Sequence, residues 1–208
     1  MIRSEIIAYV EESILPRYAS FDKAHGVDHA QTVIAESAAL AVHYAKVDEE
    51  MLYIIAAYHD TGLCEGRERH HIVSGEILRA DNFIRSLFSE EQIGVMADAV
   101  EDHRASSKRE PRTIYGRLVA EADRVISTEV TLRRTVQYGL KQNPEASVEQ
   151  HFARFCDHLQ EKYAEGGYLK LYIPYSSNAE RLAELRAVIS SPVELRQRFD
   201  ALFEQESI

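Results

Sequence analysis

His59 and Asp60 stand side by side at the end of a strongly apolar stretch, EEMLYIIAAYHD (49–60). Two hard polar groups in that position must reach solvent or find partners, because burying them unpaired is costly. His29 lies near the start of the preceding helical stretch. Asp123 lies inside EADRV (121–125), on a segment that is otherwise apolar at Val119, Ala120, Ala122 and Val125. An inward aspartate there is a metal ligand or an ion-pair partner. His71 and His103 fall on the two stretches in between. With nine histidines in the chain, a His-Asp doublet carries little weight by itself. The ordered set carries more: one His, then His-Asp, then two spaced His, then Asp, each on a successive helix. Imidazole and carboxylate ligands suit Mn, Fe, Co, Ni or Zn and need no thiolate. A divalent ion held this way brings the pKa of bound water towards neutrality, and a second ion clamps phosphoryl oxygens.

Groups scattered so widely along the chain must be brought together by helices. Nine glycines and five prolines punctuate 208 residues, which favours helical structure. Residues 2–15 read as a first helix stopped by Pro16, and 20–28 as a loop. Val33, Ile34, Ala38, Ala41 and Val42 recur at helical spacing from about 27 to 44. Asp48 caps the apolar helix, which ends at Gly62. A polar loop (63–69) leads to a helix over 70–87. Ser89 with Gln92 reads as a capping box opening a helix to about 104, and Pro111 opens the next. Asn143-Pro144 breaks the chain before a second capping box, Ser147 with Gln150. Gly166-Gly167 ends that helix, and YLKLYIPYSS (168–177) has extended character. Two more helices follow, the last opening at Ser191-Pro192. No run of alternating strands is present, so the expected fold class is all-α.

The composition bounds the partners. Hydrophobic residues make up 45% and charged residues 28%, so the chain is globular rather than disordered. Its 24 basic and 34 acidic residues leave a net charge of −10, which argues against a nucleic-acid polymer as partner. Cys64 and Cys156 stand far apart and outside any CxxC, so neither a disulfide framework nor a cysteine zinc site is expected. Glu5, Glu11 and Glu12 interrupt the N-terminal stretch too early for a secretory leader. The longest apolar run, Met51 to Tyr58, is too short to span a bilayer. A cytoplasmic protein with no membrane partner is the expectation.

Five stretches carry a family resemblance: VDHAQTVIAES (27–37), AAYHDTGL (56–63), HHIVSGEIL (70–78), VEDHR (100–104) and EADRV (121–125). Together they resemble the HD-domain superfamily of metal-dependent phosphohydrolases, in its small single-domain bacterial form. The resemblance implies a helical bundle with a metal centre between its helices. One HD-type domain over 1–208 is expected, with the metal core at about 20–130 and a helical extension at about 131–208. It also implies a divalent-metal cofactor of one or two ions (Mn, Fe, Co, Ni, Zn or Mg). His29, His59, Asp60 and Asp123 match the core ligands. His71 and His103 match the two histidines added in two-metal members, where Asp60 would bridge. The sequence departs from many members at Leu63, where a lysine is frequent, and at Arg104, where a second histidine is. No Gly-Tyr-Pro triplet follows, which argues against the cyclic-dinucleotide phosphodiesterase branch.

Hydrolysis at phosphorus builds negative charge, and cations must meet it. Lys23, Arg104, Lys108, Arg109 and Arg124 flank the metal motifs, and Lys23, Arg104, Lys108 and Arg124 are candidates for substrate phosphate. Asp60, His70 and Arg104 are the candidate catalytic residues, with His70 or Asp102 as general acid or as a group orienting a ligand. His151 and His158 share a helical face with no matching carboxylates, which favours packing. Cys64 has no evident basic partner, and Tyr163, Tyr168, Tyr172 and Tyr175 read first as core. The expected activity is cleavage of a phosphoester or phosphoanhydride in a small phosphorylated molecule, a nucleotide by the resemblance. Two rivals share the ligand pattern: a di-iron oxygenase of the HD type, and a nonenzymatic metal-binding module.

Overall fold

The computed structural model describes residues 1–207 except 108 and 125, and of Lys23 only the backbone. The Lys23 and Lys108 side chains, both candidates for substrate phosphate, therefore lie outside the described residues. The chain is all-helical, with no strand among the described residues. Its contacts cluster into two units, Met1–Arg124 with Tyr172–Ser176, and Val125–Leu171 with Ser177–Ile208.

The first unit opens with α1 (Ser4–Tyr9), which loosens into a wide turn over Val10–Ile14 and tightens again over Leu15–Ser20. The single helix expected over 2–15 is thus three pieces. Pro16 is the physical reason: it has no N–H to donate, and its ring crowds the carbonyl four residues back. Then come α2 (Val27–Ala41) and α3 (Glu49–Tyr58). Asp48 caps α3 by accepting from the Glu50 and Met51 amides at 2.9 and 3.1 Å. From Met51 to Tyr58 every residue of α3 except Tyr53 is buried, so this helix is the centre of the unit. It packs against α2, α6 (Glu90–Glu101) and α7 (Ile114–Asp123).

A short turn, Thr61–Glu65, follows α3 and lies against α4 (His70–Ala80). The approach is backbone to backbone. A Cβ on Gly62 would sit 2.2 Å from the His70 carbonyl oxygen and 2.5 Å from the Ser74 nitrogen. The Gly62 amide donates to Ser74 Oγ at 2.8 Å. The helix expected over 70–87 breaks at Asp81 and resumes as α5 (Asn82–Leu87). Asp81 caps α5 with one oxygen and accepts the Tyr9 and Tyr58 hydroxyls with the other, at 2.6 and 2.7 Å. The Ser89–Gln92 capping box opens α6 as expected. Helix α7 starts at Ile114, capped by Thr113, rather than at Pro111, because the Arg112 amide is taken by the Asp102 carboxylate at 2.6 Å.

The second unit comprises α8 (Thr128–Gln142), α9 (Val148–Tyr163), α10 (Asn178–Ile189) and α11 (Pro192–Glu206). The Ser147–Gln150 capping box opens α9. Phe155 and Phe199 are fully buried with ring centroids 5.2 Å apart, and Phe152 and Phe203 join them. No described helix is long and apolar enough to cross a membrane.

Candidate metal centre

Six side chains of the first unit converge from five places in the chain. His29 lies in the first turn of α2, His59 caps the C-terminus of α3, and Asp60 follows it. His70 is the first residue of α4, His103 follows α6, and Asp123 is the last residue of α7. Their ligand atoms form two triads, His29–His59–Asp123 and Asp60–His70–His103, each with all atoms within 4.8 Å of one another.

Asp60 links the triads. Its Oδ2 lies 3.3 Å from His59 Nε2 and 3.8 Å from His29 Nε2. Its Oδ1 lies 3.4 Å from His103 Nε2 and 3.5 Å from His70 Nε2. One carboxylate therefore turns each oxygen to a different histidine pair. Its backbone is held by Tyr18, whose buried hydroxyl donates to the Ala57 carbonyl at 2.8 Å and accepts from the Asp60 amide at 3.2 Å.

The imidazoles are fixed from behind. Nδ1 of His59, His70 and His103 donates to the Ala56, Arg67 and Val100 carbonyls at 2.8, 2.8 and 2.6 Å. A carbonyl only accepts, so in the neutral ring the proton is on Nδ1 and Nε2 presents a lone pair. His70 Nε2 and His103 Nε2 then face each other at 3.1 Å. Two lone pairs at that distance repel unless a cation or a proton lies between them. His29 Nε2 stands 3.3 Å from His59 Nε2 and 3.1 Å from Asp123 Oδ1.

The electrostatics point the same way. Burial works against ionisation of Asp60, yet the neighbouring His59 and His103 hold its carboxyl well below the usual range. Burial likewise opposes ionisation of Asp123, and the His29 hydrogen bond and His59 charge bring it down to about 2. Burial pulls His59 down, but the Asp60 and Asp123 carboxylates raise it to about 9. Burial and the His103 charge lower His70 to about 4, which keeps it neutral. Two carboxylates held ionised beside His70, which stays neutral, attract positive charge, and the nitrogen and oxygen donors fit a divalent transition metal.

The second triad differs from expectation in register. It contains His70, expected as a catalytic group, and not His71, expected as a ligand. Adjacent residues on a helix point about 100° apart, and only one of the two can face Asp60. His71 turns instead towards Arg104, with Nδ1 3.3 Å from Nη1, and burial and that charge lower it to about 4. Arg104 also donates to the Glu68 carbonyl and, through Nε, to Ser106 Oγ at 2.9 Å. Asp102 is buried but spent on Arg112, whose Nε lies 3.0 Å from Oδ1. Arg124 is buried with its guanidinium carbon 5.0 Å from the centroid of the Tyr172 ring, and its Nε and Nη1 have no hydrogen-bond partner among the described residues.

Outside the triads, His151 packs on Phe203 at 5.3 Å and His158 on Tyr163 at 6.3 Å. Cys64 and Cys156 are free thiols. Two contributors have no obvious sequence signal: Tyr18, 42 residues before the amide it accepts from, and Arg67, whose carbonyl orients His70. Arg67 also donates to Asp22, which in turn accepts from His25 Nδ1 at 2.8 Å. Glu121 did have a signal, since it shares the apolar segment that drew attention to Asp123.

Residues 26–127 match the family model of the HD domain. Neither the curated proteins nor the solved structures yield a match to the chain.

Proposed function

Given that this chain belongs to the HD-domain superfamily, we propose that it is a metal-dependent phosphohydrolase acting on a phosphoester or phosphoanhydride of a small nucleotide. The observation that carries this reading is the Asp60 carboxylate, whose two oxygens face two histidine pairs. His29, His59 and Asp123 would hold one ion, and Asp60, His70 and His103 the other. When bound, such ions lower the pKa of water towards neutrality and draw charge from phosphoryl oxygens.

The chain's own residues supply the rest. The carbonyl-anchored Nδ1 atoms keep three imidazoles in the tautomer and orientation that ligation needs. Exposure gives the site a direction. The His59, His103 and Asp60 side chains are 0, 2 and 4% exposed, whereas His29, His70 and Asp123 are 14, 15 and 24% exposed. Substrate would approach from the side of the last three. Lys23, Arg104, Lys108 and Arg124 are the proposed candidate contacts for substrate phosphate.

The test is elemental analysis of protein purified without added metal or chelator, followed by phosphate-release assays on a nucleotide panel with Mn2+, Co2+, Ni2+ or Zn2+. Metal-dependent phosphate release is expected. Two irons per chain with dioxygen consumption and no phosphate release would replace the hydrolase by an oxygenase. Tight metal uptake with no turnover on any substrate class would reduce the protein to a metal-binding module.

A further inference from the structure

Glu121 is a fully buried carboxylate outside both triads, two residues before Asp123. A carboxylate taken out of water must be repaid by hydrogen bonds. Three donors come from the segment Tyr172–Ser176. Oε2 accepts from the Tyr172 amide at 2.7 Å and from the Ile173 amide at 3.4 Å, and Oε1 accepts from Ser176 Oγ. This segment belongs to the first unit, while the chain on either side of it belongs to the second. Ile173 is buried in the first unit's core, and the Tyr175 ring stacks on His43 at 4.1 Å. The segment is the extended stretch seen in the sequence, and it pairs with a side chain rather than with another strand.

The clasp sits where the metal centre needs support. Asp123 is the last residue of α7, in a turn whose terminal carbonyls lack helical partners and whose dipole disfavours a carboxylate. Such ends fray. We propose that Glu121 is a positioning residue for the metal centre: by clasping Tyr172–Ser176 it fixes the last turn of α7, and with it the Asp123 carboxylate that completes the first triad. The inference rests on the metal reading above and adds that a segment about 50 residues downstream is part of the site's framework.

Glu121→Gln and Ser176→Ala, each beside wild type, should be titrated with Co2+ by calorimetry and by the visible absorption of bound Co2+. In Glu121→Gln with native circular dichroism, affinity at the first triad falls about tenfold to a hundredfold, its Co2+ spectrum changes, and the second triad is unaffected. Ser176→Ala, which loses the Ser176 hydroxyl bond and keeps the two backbone ones, shows a several-fold loss at the first triad, and it decides the matter if Glu121→Gln does not fold. Unchanged Co2+ affinity and spectrum in a folded variant overturn the inference, as does an equal loss at both triads. Wild-type protein that takes up no Co2+ overturns the metal reading itself, and the inference with it.

Discussion

The two units bury polar groups in opposite ways. In the second unit two of the buried polar side chains are served locally or packed singly. Thr135 Oγ1 donates to the Thr131 carbonyl one turn back at 2.8 Å, and His151 lies against the Phe203 ring. In the first unit His59, Asp60 and His103 are buried facing one another, with His29, His70 and Asp123 closing the two triads. The Nδ1 atoms of His59, His70 and His103 are satisfied by backbone, while among the described residues the Nε2 atoms of the four histidines meet each other and the carboxylates. A buried polar group that its own helix satisfies belongs to the fold. Several that converge with lone pairs opposed belong to a site, because only an added cation or proton removes the repulsion.

This contrast can be broken at its centre. Asp60→Ala removes the one group common to both triads, and turnover should fall by about 10³-fold or more, several kcal/mol of lost charge stabilisation. Circular dichroism that stays native alongside phosphate-release kinetics checks it. Phe199→Ala probes the other unit: a fully buried ring is removed, and denaturant titration should show a loss of about 3–5 kcal/mol. The folded fraction should keep its metal stoichiometry, since no triad residue belongs to that unit. The comparison is sharpened by the histidine pair. His70→Ala should lower affinity at the second triad by at least about a hundredfold, whereas His71→Ala should leave two ions per chain. Calorimetry with Mn2+ or Co2+ reads both, and equal losses would return His71 to the ligand set.

Much of this is legible in the sequence because it is local. The two capping boxes and the Asp48 cap each need only three or four residues, and all three open helices where expected. The all-α class follows from helical periodicity, and the resemblance to the HD domain is carried by the ordered His, His-Asp and Asp stretches. What escapes the sequence depends on distant partners. The choice between His70 and His71 turns on the rotation of α4, which is set by backbone contact with Gly62. The break at Asp81 answers to Tyr9 and Tyr58, 72 and 23 residues away in the chain. Asp102 looks like a neighbour of His103 in the sequence but belongs to Arg112. Tyr18 and the Glu121 clasp have long-range partners that no spacing rule connects.

Gly62 has no side chain to offer as a ligand, yet it works as a spacer. With hydrogen in place of a methyl group, α4 can lie close enough for His70 to come within 3.5 Å of Asp60 Oδ1. The gap between the two histidine pairs is thus gauged by an atom group that is missing. A single added carbon there would push the α4 backbone outwards and draw His70 away with it, while every ligand kept its identity. In heritable terms, the meeting of the two triads can be undone through a change at a position that an inventory of candidate ligands alone would overlook.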